Sequence, residues 1–282
     1  MDVIKKIIEG VNNLPTLPTI YTTLSEAMEN PNTTKEELAK IISTDQAASF
    51  KILKVANSPF YGLRGRVDTI TQALLYLGFN EVKNIVFALS VINSFTRNKL
   101  FTKFKPTDLW AHSIGVGVAT RIIGAAIGEK NLENYFLAGI FHDIGKLIFF
   151  EYVPNEYSKV IHLVESKNIP IKDAELEILG INHARAGQLI AEKWKLPQTV
   201  VNIVSAHHTG LIGFNINPLL ASVHLGDIIA RAMELGYGGD NFIPEPNIKI
   251  WDAIKLPKGF FSTARKKIKD DYERLVKIML SD

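Results

Sequence analysis

Helical periodicity runs through almost all of this 282-residue chain and constrains its fold more than any other feature. Apolar residues recur every three or four positions, as on the buried face of an amphipathic helix. Alternating β-branched runs flanked by Asn-Gly or Asp-Gly turns are absent, so a substantial sheet is not expected. We therefore predict an all-α fold.

Breaks in the helical pattern divide the chain into three parts. The stretch 97–106 is polar and basic, as expected of a junction between two domains. We predict an N-terminal helical subdomain over 1–106, a second helical domain over 107–235 and a C-terminal extension over 236–282. The extension begins with a loop over 236–246 and is predicted to be helical in the last part of 250–280.

Helix-start signals mark two helices of the first part. Two overlapping Thr-x-x-Glu patterns at 33–37 have the spacing of a capping box. Asp45 can cap the next helix, which we expect to place Phe50, Leu53 and Ala56 inward.

A helix-turn-helix pair is predicted over 69–77 and 81–95, with a stop at Gly78. The second helix of the pair carries Lys83 as its single basic residue, whereas phosphate contacts need several cations. DNA binding is therefore not expected.

Seven further helices are predicted in the second part. They cover 108–127, 132–150, 157–167, 173–179, 183–194, 199–208 and 219–235.

Composition excludes several classes of protein. With no cysteine, the chain has no disulfide and no thiol chemistry, and a net charge of +3 does not argue for nucleic acid or membrane. The most apolar stretch, 114–127, is interrupted by Arg121 and is shorter than the roughly 20 residues of a spanning helix. We expect a soluble cytoplasmic protein with no membrane association.

Histidines and acids recur through the second part in a pattern typical of a metal site. Adjacent His142 and Asp143 can ligate one divalent cation through nitrogen and oxygen, and four or five helices could aim further ligands at the same point. Mixed His and carboxylate ligands suit Fe, Mn, Zn or Ni, as one ion or two. The candidate ligands are His112, His142, Asp143, His183, His207, His208 and Asp227, with Asp108 as a possible addition and His224 in the same pattern. His162 is predicted to be a surface residue.

Each candidate also has an ordinary structural interpretation. His142-Asp143 could start a helix, His207-His208 could end one, and Asp227 could pair with Arg231 four residues on. The candidates favour a metal site only when taken together.

A second candidate is an interaction surface in the loop 58–66. Phe60 and Tyr61 are combined there with Arg64 and Arg66. The alternative is a structural loop that packs both aromatic rings inward.

Over roughly residues 10–235 the chain resembles the HDOD domains, the HD-related output domains of bacteria. The matching segments are 14–18, 42–46, 51–58, 70–73, 77–78, 109–113, 138–146, Glu175, 179–183, Gly187, 194–197 and 207–208. The resemblance implies that a helical N-terminal subdomain packs on a degenerate HD-like domain. It also implies a role in bacterial signal transduction, as an output or protein-interaction module.

The resemblance also implies roles for single residues. Compared with active HD phosphohydrolases, His112, His142, Asp143 and Asp227 match the order of the metal ligands. His183 and His207-His208 are similar to the extra ligands of the HD-GYP cyclic-di-GMP phosphodiesterases, and Lys146 is similar to their phosphate-facing lysine. Thr209 stands where those enzymes have Glu, and 210–214 replaces their Gly-Tyr-Pro segment.

These observations lead to two hypotheses. The first is a regulatory binding or output module with a largely retained metal site, whose partners are signalling proteins or a nucleotide-type ligand. The alternative is a metal-dependent phosphohydrolase, in which Asp143 would ligate the metal and orient its water and Lys146 would stabilise phosphoryl charge. Cyclic-di-GMP hydrolysis is unsupported because the substrate-reading segment differs.

Overall fold

The computed structural model describes residues 3–14, 17–95, 104–213 and 215–280. These residues form sixteen α-helices and no strand, with an isolated antiparallel bridge between Ile212 and Asn215. The predicted all-α fold is confirmed. The helices, in chain order, are α1 (Val3–Asn12), α2 (Thr19–Glu29), α3 (Lys35–Ser43), α4 (Gln46–Ala56), α5 (Ile70–Leu77), α6 (Phe79–Phe95), α7 (Pro106–Ala126), α8 (Leu132–Phe141), α9 (Lys146–Tyr152), α10 (Pro154–Lys167), α11 (Ile171–Leu179), α12 (His183–Lys193), α13 (Gln198–Ala206), α14 (Pro218–Ala232), α15 (Ile248–Ile254) and α16 (Phe260–Leu280).

Most predicted helices are present to within a few residues, but the single helix over 132–150 was a wrong prediction. The chain turns between α8 and α9, because the backbone of Gly145 lies against α12. A Cβ atom at Gly145 would come within 1.9 Å of the carbonyl oxygen of His183. The apolar pattern continues across this turn, so periodicity did not reveal it. Helix α1 was not predicted.

The predicted helix caps are confirmed. The side chain of Thr34 accepts a hydrogen bond from the backbone N–H of Glu37, and the Glu37 carboxylate accepts one from the N–H of Thr34. Asp45 accepts a hydrogen bond from the N–H of Ala48 at the start of α4. Each cap satisfies a backbone donor that has no partner inside its helix.

The predicted inward position of Phe50 is wrong, since this side chain is 59% exposed. Ala56 is buried as predicted, together with Ala48, Ile52 and Val55, and Leu53 is half-buried. The buried residues share one helical face, and Phe50 lies on another.

Contacts divide the chain into two compact units whose boundaries differ from the predicted 1–106, 107–235 and 236–282. The first unit comprises Met1–Leu14 and Phe95–Lys269, and the second comprises Pro15–Ser94 and Asp270–Asp282. Helix α1 clusters with the first unit because it packs against α9 and α12. The predicted junction over 97–106 lies mostly outside the described residues.

The first unit is built around α7, which packs against α8 and α14. Trp110 and much of the rest of α7 are buried. The backbones of α7 and α8 approach closely, since a Cβ atom on Gly139 would lie 2.5 Å from the Cα of Gly117. This close approach brings the residues at the end of α8 next to those on α7.

Helix α7 is long and apolar enough to cross a membrane, but 72% of its apolar window is buried inside the protein. Helices α5 and α6 reach the length and apolar character of a membrane span only if they are counted as one segment. The angle between them is 118°. Core helices of soluble proteins also pass this test, so it does not assign α7 to a membrane.

In the second unit, α3 packs against α2, α4 and α5. Leu24, Ile42 and Ile52 are buried in its core. Tyr21 stacks on Phe87 with 4.4 Å between ring centroids.

Candidate metal centre

Seven of the predicted ligands come together inside the first unit. They approach from five places: α7, the turn after α8, the start of α12, the residues after α13, and the middle of α14. All are buried except His208, which is partly exposed. The seven are His112, His142, Asp143, His183, His207, His208 and Asp227.

One end of this cluster consists of His112, His142 and Asp227. Their ligand atoms lie within 4.8 Å of one another. The Nε2 atom of His112 lies 3.0 Å from Oδ1 of Asp227, and the Nε2 atom of His142 lies 3.9 Å from the same oxygen.

The other end consists of His183, His207 and His208, whose ligand atoms also lie within 4.8 Å of one another. The Nε2 atoms of His183 and His208 are 2.9 Å apart. The backbone of the turn after α13 presents the two consecutive histidines to the start of α12.

Asp143 lies between the two ends. Its Oδ2 atom is 3.3 Å from Nε2 of His142, and its Oδ1 atom is 3.1 Å from Nε2 of His183 and 3.5 Å from Nε2 of His207. His142, Asp143 and His207 therefore form a third group of potential ligands. In this position a single carboxylate can contact both ends of the cluster.

Backbone carbonyl oxygens fix the orientation of two imidazole rings, those of His142 and His207. The Nδ1 atom of His142 lies 2.7 Å from the carbonyl oxygen of Gly139. The Nδ1 atom of His207 lies 2.9 Å from the carbonyl oxygen of Val204. A carbonyl oxygen can only accept, so each Nδ1 donates and each Nε2 carries a lone pair. Second acceptors of this kind commonly orient metal-binding histidines.

Three buried atoms of the cluster have no hydrogen-bond partner among the described residues. They are Nε2 of His142, Nε2 of His207 and Oδ1 of Asp143. Buried polar atoms are normally satisfied, and three acceptor atoms facing one another repel. A divalent cation would satisfy all three, so the donor set fits a metal.

The pKa values of three histidines and of Asp143 favour the protonation states that bind a cation. Burial lowers the pKa of His207 to about 4 and also lowers those of His112 and His208. Burial alone would raise the pKa of Asp143, but His142 and Lys146 outweigh it and hold that pKa well below its usual range. Neutral imidazoles and ionised carboxylates are the forms that bind metals.

The pKa of His183 is shifted in the opposite direction to those of His112, His207 and His208. Burial lowers its pKa, but the carboxylates of Glu175 and Asp143 outweigh burial and raise it above the ordinary 6.5. Glu175 accepts from Nδ1 of His183 at 2.6 Å and from its backbone N–H at 2.8 Å. The other oxygen of Glu175 accepts from the hydroxyl of Tyr157 at 3.2 Å.

Glu175 is a site residue that the sequence reasoning missed as a functional group. It lies on α11 in register with the buried residues Ile171, Ala174 and Leu179. A glutamate at a core-facing position of an amphipathic helix is the signal that could have identified it.

The loop after α14 also contributes to the site. Arg231 donates from Nε to Asp227 at 2.9 Å and from Nη1 to Asp240 at 2.6 Å. Asp240 in turn accepts from the backbone N–H of Ile171 at 2.9 Å. Asp227 therefore pairs with Arg231, as the structural interpretation predicted, and it also belongs to the cluster.

Two other candidates do not join the cluster. The carboxylate of Asp108 accepts from the backbone N–H of Lys105 at 3.0 Å and thus caps α7. The Nδ1 atom of His224 lies 3.0 Å from the carbonyl oxygen of His207. Its Nε2 atom accepts a hydrogen bond from the backbone N–H of Asn247 at 3.1 Å. Both ring nitrogens of His224 therefore contact backbone groups, and His224 holds the backbone of His207 in place. His162 is exposed, as predicted.

The predicted surface of the loop 58–66 is only partly exposed. Phe60 is buried, and its ring packs edge-on against Tyr61, whose hydroxyl donates to Glu81. Arg64 and Arg66 are exposed. The structural alternative therefore holds for the two aromatic rings, and of the two arginines Arg66 pairs with Asp68.

Comparison with known proteins identifies the family. Residues 14–210 match the HDOD domain. The chain belongs to the HDOD family. The resemblance read from the sequence is thereby confirmed, while Asp227, Arg231 and the loop after α14 lie beyond the matched residues.

Two solved structures share the fold of this HDOD protein. An HDOD domain protein of unknown function from Geobacter sulfurreducens superposes with a TM-score of 0.84 at 24% identity, over 99% of this chain and 98% of that one. A "Putative phosphohydrolase" from Shewanella amazonensis SB2B superposes with a TM-score of 0.75 at 22% identity, over 97% and 98%. An uncharacterised protein from Treponema pallidum (strain Nichols) is 25% identical over 81% of this chain. The alignment spans 44% of that relative's own length.

Two cavities border the histidine and aspartate cluster of this HDOD domain. One, of about 250 Å³, is lined in part by His208, Asp227 and Arg231. The other, of about 270 Å³, is lined in part by His112, Arg231 and Gly238. Both ends of the cluster therefore face space in which water or a small ligand fits.

Lys146 does not line either cavity. Its ammonium group is fully buried, 2.5 Å from Oδ2 of Asp143 and 2.8 Å from the carbonyl oxygen of Gly238. In this arrangement Lys146 neutralises Asp143 and holds the loop after α14.

Proposed function

We propose that this HDOD protein holds a divalent metal in its histidine and aspartate cluster and acts as a regulatory binding or output module. The observation that carries the proposal is the set of three buried, unpartnered acceptor atoms on His142, Asp143 and His207. Leaving such atoms unsatisfied costs about 1–3 kcal/mol each, and a bound cation removes that cost.

The proposed ligands fall into two sets that share Asp143. His112, His142 and Asp227 would hold a metal at one end, and a second ion would sit among the three histidines at the other end. Nitrogen and carboxylate ligands of this kind suit Fe, Mn, Zn or Ni. Such an ion supplies positive charge and can lower the pKa of a bound water.

Two features favour a binding module over an enzyme. Lys146 is fully buried and is already bound by Asp143 and Gly238. Thr209 occupies the position of a glutamate that the similar phosphodiesterases have, and its hydroxyl contacts the carbonyl oxygens of Ala206 and Leu211. The proposed partner is a signalling protein or a nucleotide-type ligand, and the proposed location is the cytoplasm.

Elemental analysis of the purified chain tests the metal. We expect one or two equivalents of Fe, Mn, Zn or Ni in the wild type and a loss of at least about tenfold in His142→Ala/Asp143→Ala. The matched control is His162→Ala, which removes an exposed imidazole and should leave the content unchanged. Circular dichroism checks that the variants fold, and His207→Gln serves as a milder variant. A wild-type chain that stays metal-free after reconstitution with each ion would contradict the proposal.

A second candidate function is metal-dependent phosphohydrolysis. The observation in its favour is that proposed metal ligands line both cavities. His208 and Asp227 line the first, and His112 lines the second. Hydrolysis would use a metal-bound water in one of these spaces. Assays with a generic phosphodiester and with cyclic dinucleotides, in Mn or Fe, test this function. Turnover that His142→Ala/Asp143→Ala abolishes would establish it, whereas metal loading without turnover would leave the binding module.

A further inference from the structure

An open cavity of about 630 Å³ lies within the second unit. It is bounded by the C-terminal half of α4, by the connection 57–68 and by the part of α16 from residue 270 onward. We call it the basic groove and define it by Phe50, Leu53, Lys54, Arg66, Arg274 and Lys277. It is a separate feature from the metal cluster, which lies in the first unit, and no step of the proposed metal function uses it.

The inside of the basic groove is mainly apolar. Leu53, Val67 and Ile278 line it, and Phe50 stands beside them with 59% of its side chain exposed. The ammonium group of Lys54 lies 4.2 Å from the centroid of the Phe50 ring. Burying a phenylalanine side chain gains about 1.5–3 kcal/mol relative to leaving it exposed. A partner that covers Phe50 would gain part of that free energy.

The charge of the basic groove is one-sided. Lys54, Arg274 and Lys277 are exposed and form no ion pair with any described residue. The acid that lines the groove, Asp68, is bound by Arg66 at 2.7 Å. Three positive charges therefore line the groove without an ion pair to any described residue, and they favour an anionic partner.

The chain positions these cations around one apolar surface. Arg274 and Lys277 are three residues apart on α16, so they lie on the same face of that helix. Lys54 approaches from α4, on the face opposite to the buried residues Ile52 and Val55. A ligand in the groove would thus have positive charge on two sides.

We propose that the basic groove docks an acidic peptide segment of a partner protein. Apolar side chains of the segment would contact Phe50, Leu53 and Ile278, and its carboxylates would pair with Lys54, Arg274 and Lys277. The concave shape suits an inserted peptide better than a flat bilayer. The aliphatic lining suits peptide side chains better than nucleobases, which stack on several aromatic rings.

Selection from a phage-displayed library of random peptides, with the full chain as bait, tests the proposal. We expect the enriched sequences to combine Asp or Glu with Leu, Ile or Phe. Synthetic versions of these peptides are then measured by fluorescence anisotropy. Lys54→Glu/Lys277→Glu should raise Kd by at least about tenfold, and Phe50→Ser should weaken binding without changing its salt dependence.

The matched control is Lys35→Glu/Lys40→Glu, which changes the net charge equally on α3 and should leave Kd within about twofold. All substituted side chains are at least partly exposed, and circular dichroism checks that each variant folds. Three outcomes would overturn the proposal. They are no enrichment of acidic peptides, equal binding to the groove variant and the control variant, or groove-dependent binding to phosphatidylglycerol vesicles or single-stranded DNA instead of peptides.

Discussion

The Nε2 atom of His112 lies 3.0 Å from Oδ1 of Asp227, although 115 residues separate the two in the sequence. The same oxygen accepts a hydrogen bond from Nε of Arg231 at 2.9 Å. Arg231 also contacts Asp240, so this one carboxylate links α7, α14 and the loop after α14. A proposed metal ligand therefore also helps to hold that loop, through Arg231.

Asp227→Ala should destabilise the metal-free protein. The change removes one of the two carboxylates that Arg231 contacts and leaves a buried guanidinium with less compensation. Breaking a buried ion pair by removing one partner costs about 3–5 kcal/mol, and Asp240 should reduce the loss to about 3 kcal/mol. Urea unfolding of chelator-treated protein measures this. Asp173→Ala, an exposed aspartate on α11, is the control, and a loss below about 1 kcal/mol in Asp227→Ala would contradict the predicted role.

Glu175→Gln should weaken metal binding without unfolding the protein. The glutamine keeps the shape of the side chain but removes the negative charge that lies 2.6 Å from Nδ1 of His183. Loss of such a supporting carboxylate typically costs 10–100-fold in metal affinity, so a decrease of about tenfold or more is expected. Competition with a fluorescent chelator measures the affinity.

The matched control for Glu175 is Glu177→Gln, on the same helix. Glu177 is exposed and pairs with Lys167 at the surface, so its loss should leave metal affinity unchanged. Equal effects of the two substitutions would show that Glu175 acts through the net charge of the protein rather than through His183.

Much of the fold and most of the cluster could be predicted because their signals are local in the sequence. The periodicity of each helix and the caps at Thr34 and Asp45 depend on residues a few positions apart. The seven clustered ligand candidates were found because their residue types are uncommon in an apolar helical pattern. The matching order of these candidates also allowed the family to be recognised.

Other features depend on contacts between distant segments and left no local signal. The turn at Gly145 is set by the backbone of α12, and the exposure of Phe50 is set by which face of α4 packs in the core. Asp108 and His224 matched the ligand pattern, but their side chains bind backbone groups of other residues. Spacing along one chain does not distinguish a ligand from a residue that supports one.

Acid should destabilise the metal-free protein. His207 has its pKa lowered by burial to about 4, whereas in the unfolded chain it titrates near 6.5. Between these values the unfolded state binds the additional proton, so stability falls as the pH falls from 6.5 toward 4, by up to about 1.4 kcal/mol per pH unit from His207 alone. His112 and His208 act in the same direction. His183 acts in the opposite direction but above pH 6.5, because its raised pKa makes the folded state bind the additional proton there.

Urea unfolding of chelator-treated protein at pH 7.5 and pH 5 measures this dependence. The wild type should be less stable at pH 5, and His207→Gln should show a smaller difference between the two conditions because it lacks one titrating group. A wild-type protein of equal or greater stability at pH 5 would mean that the buried imidazoles are not held neutral.

Gly145→Ala should disrupt both the fold and the metal site. A Cβ atom at this position would meet the carbonyl oxygen of His183 at 1.9 Å and the backbone nitrogen of Gly187 at 2.5 Å, and neither can rotate away as a side chain could. Overpacking costs about 1–3 kcal/mol and more where backbone must move, so a loss of about 3 kcal/mol is expected. Moving α12 away from the turn after α8 would also separate His183 from Asp143 and lower metal affinity.

The control is Gly65→Ala, where a Cβ meets no atom within 4 Å. Thermal unfolding and elemental analysis of both variants measure the two effects, and a Gly145→Ala protein that keeps wild-type stability and metal content would show that the contact between the turn and α12 does not hold the cluster together.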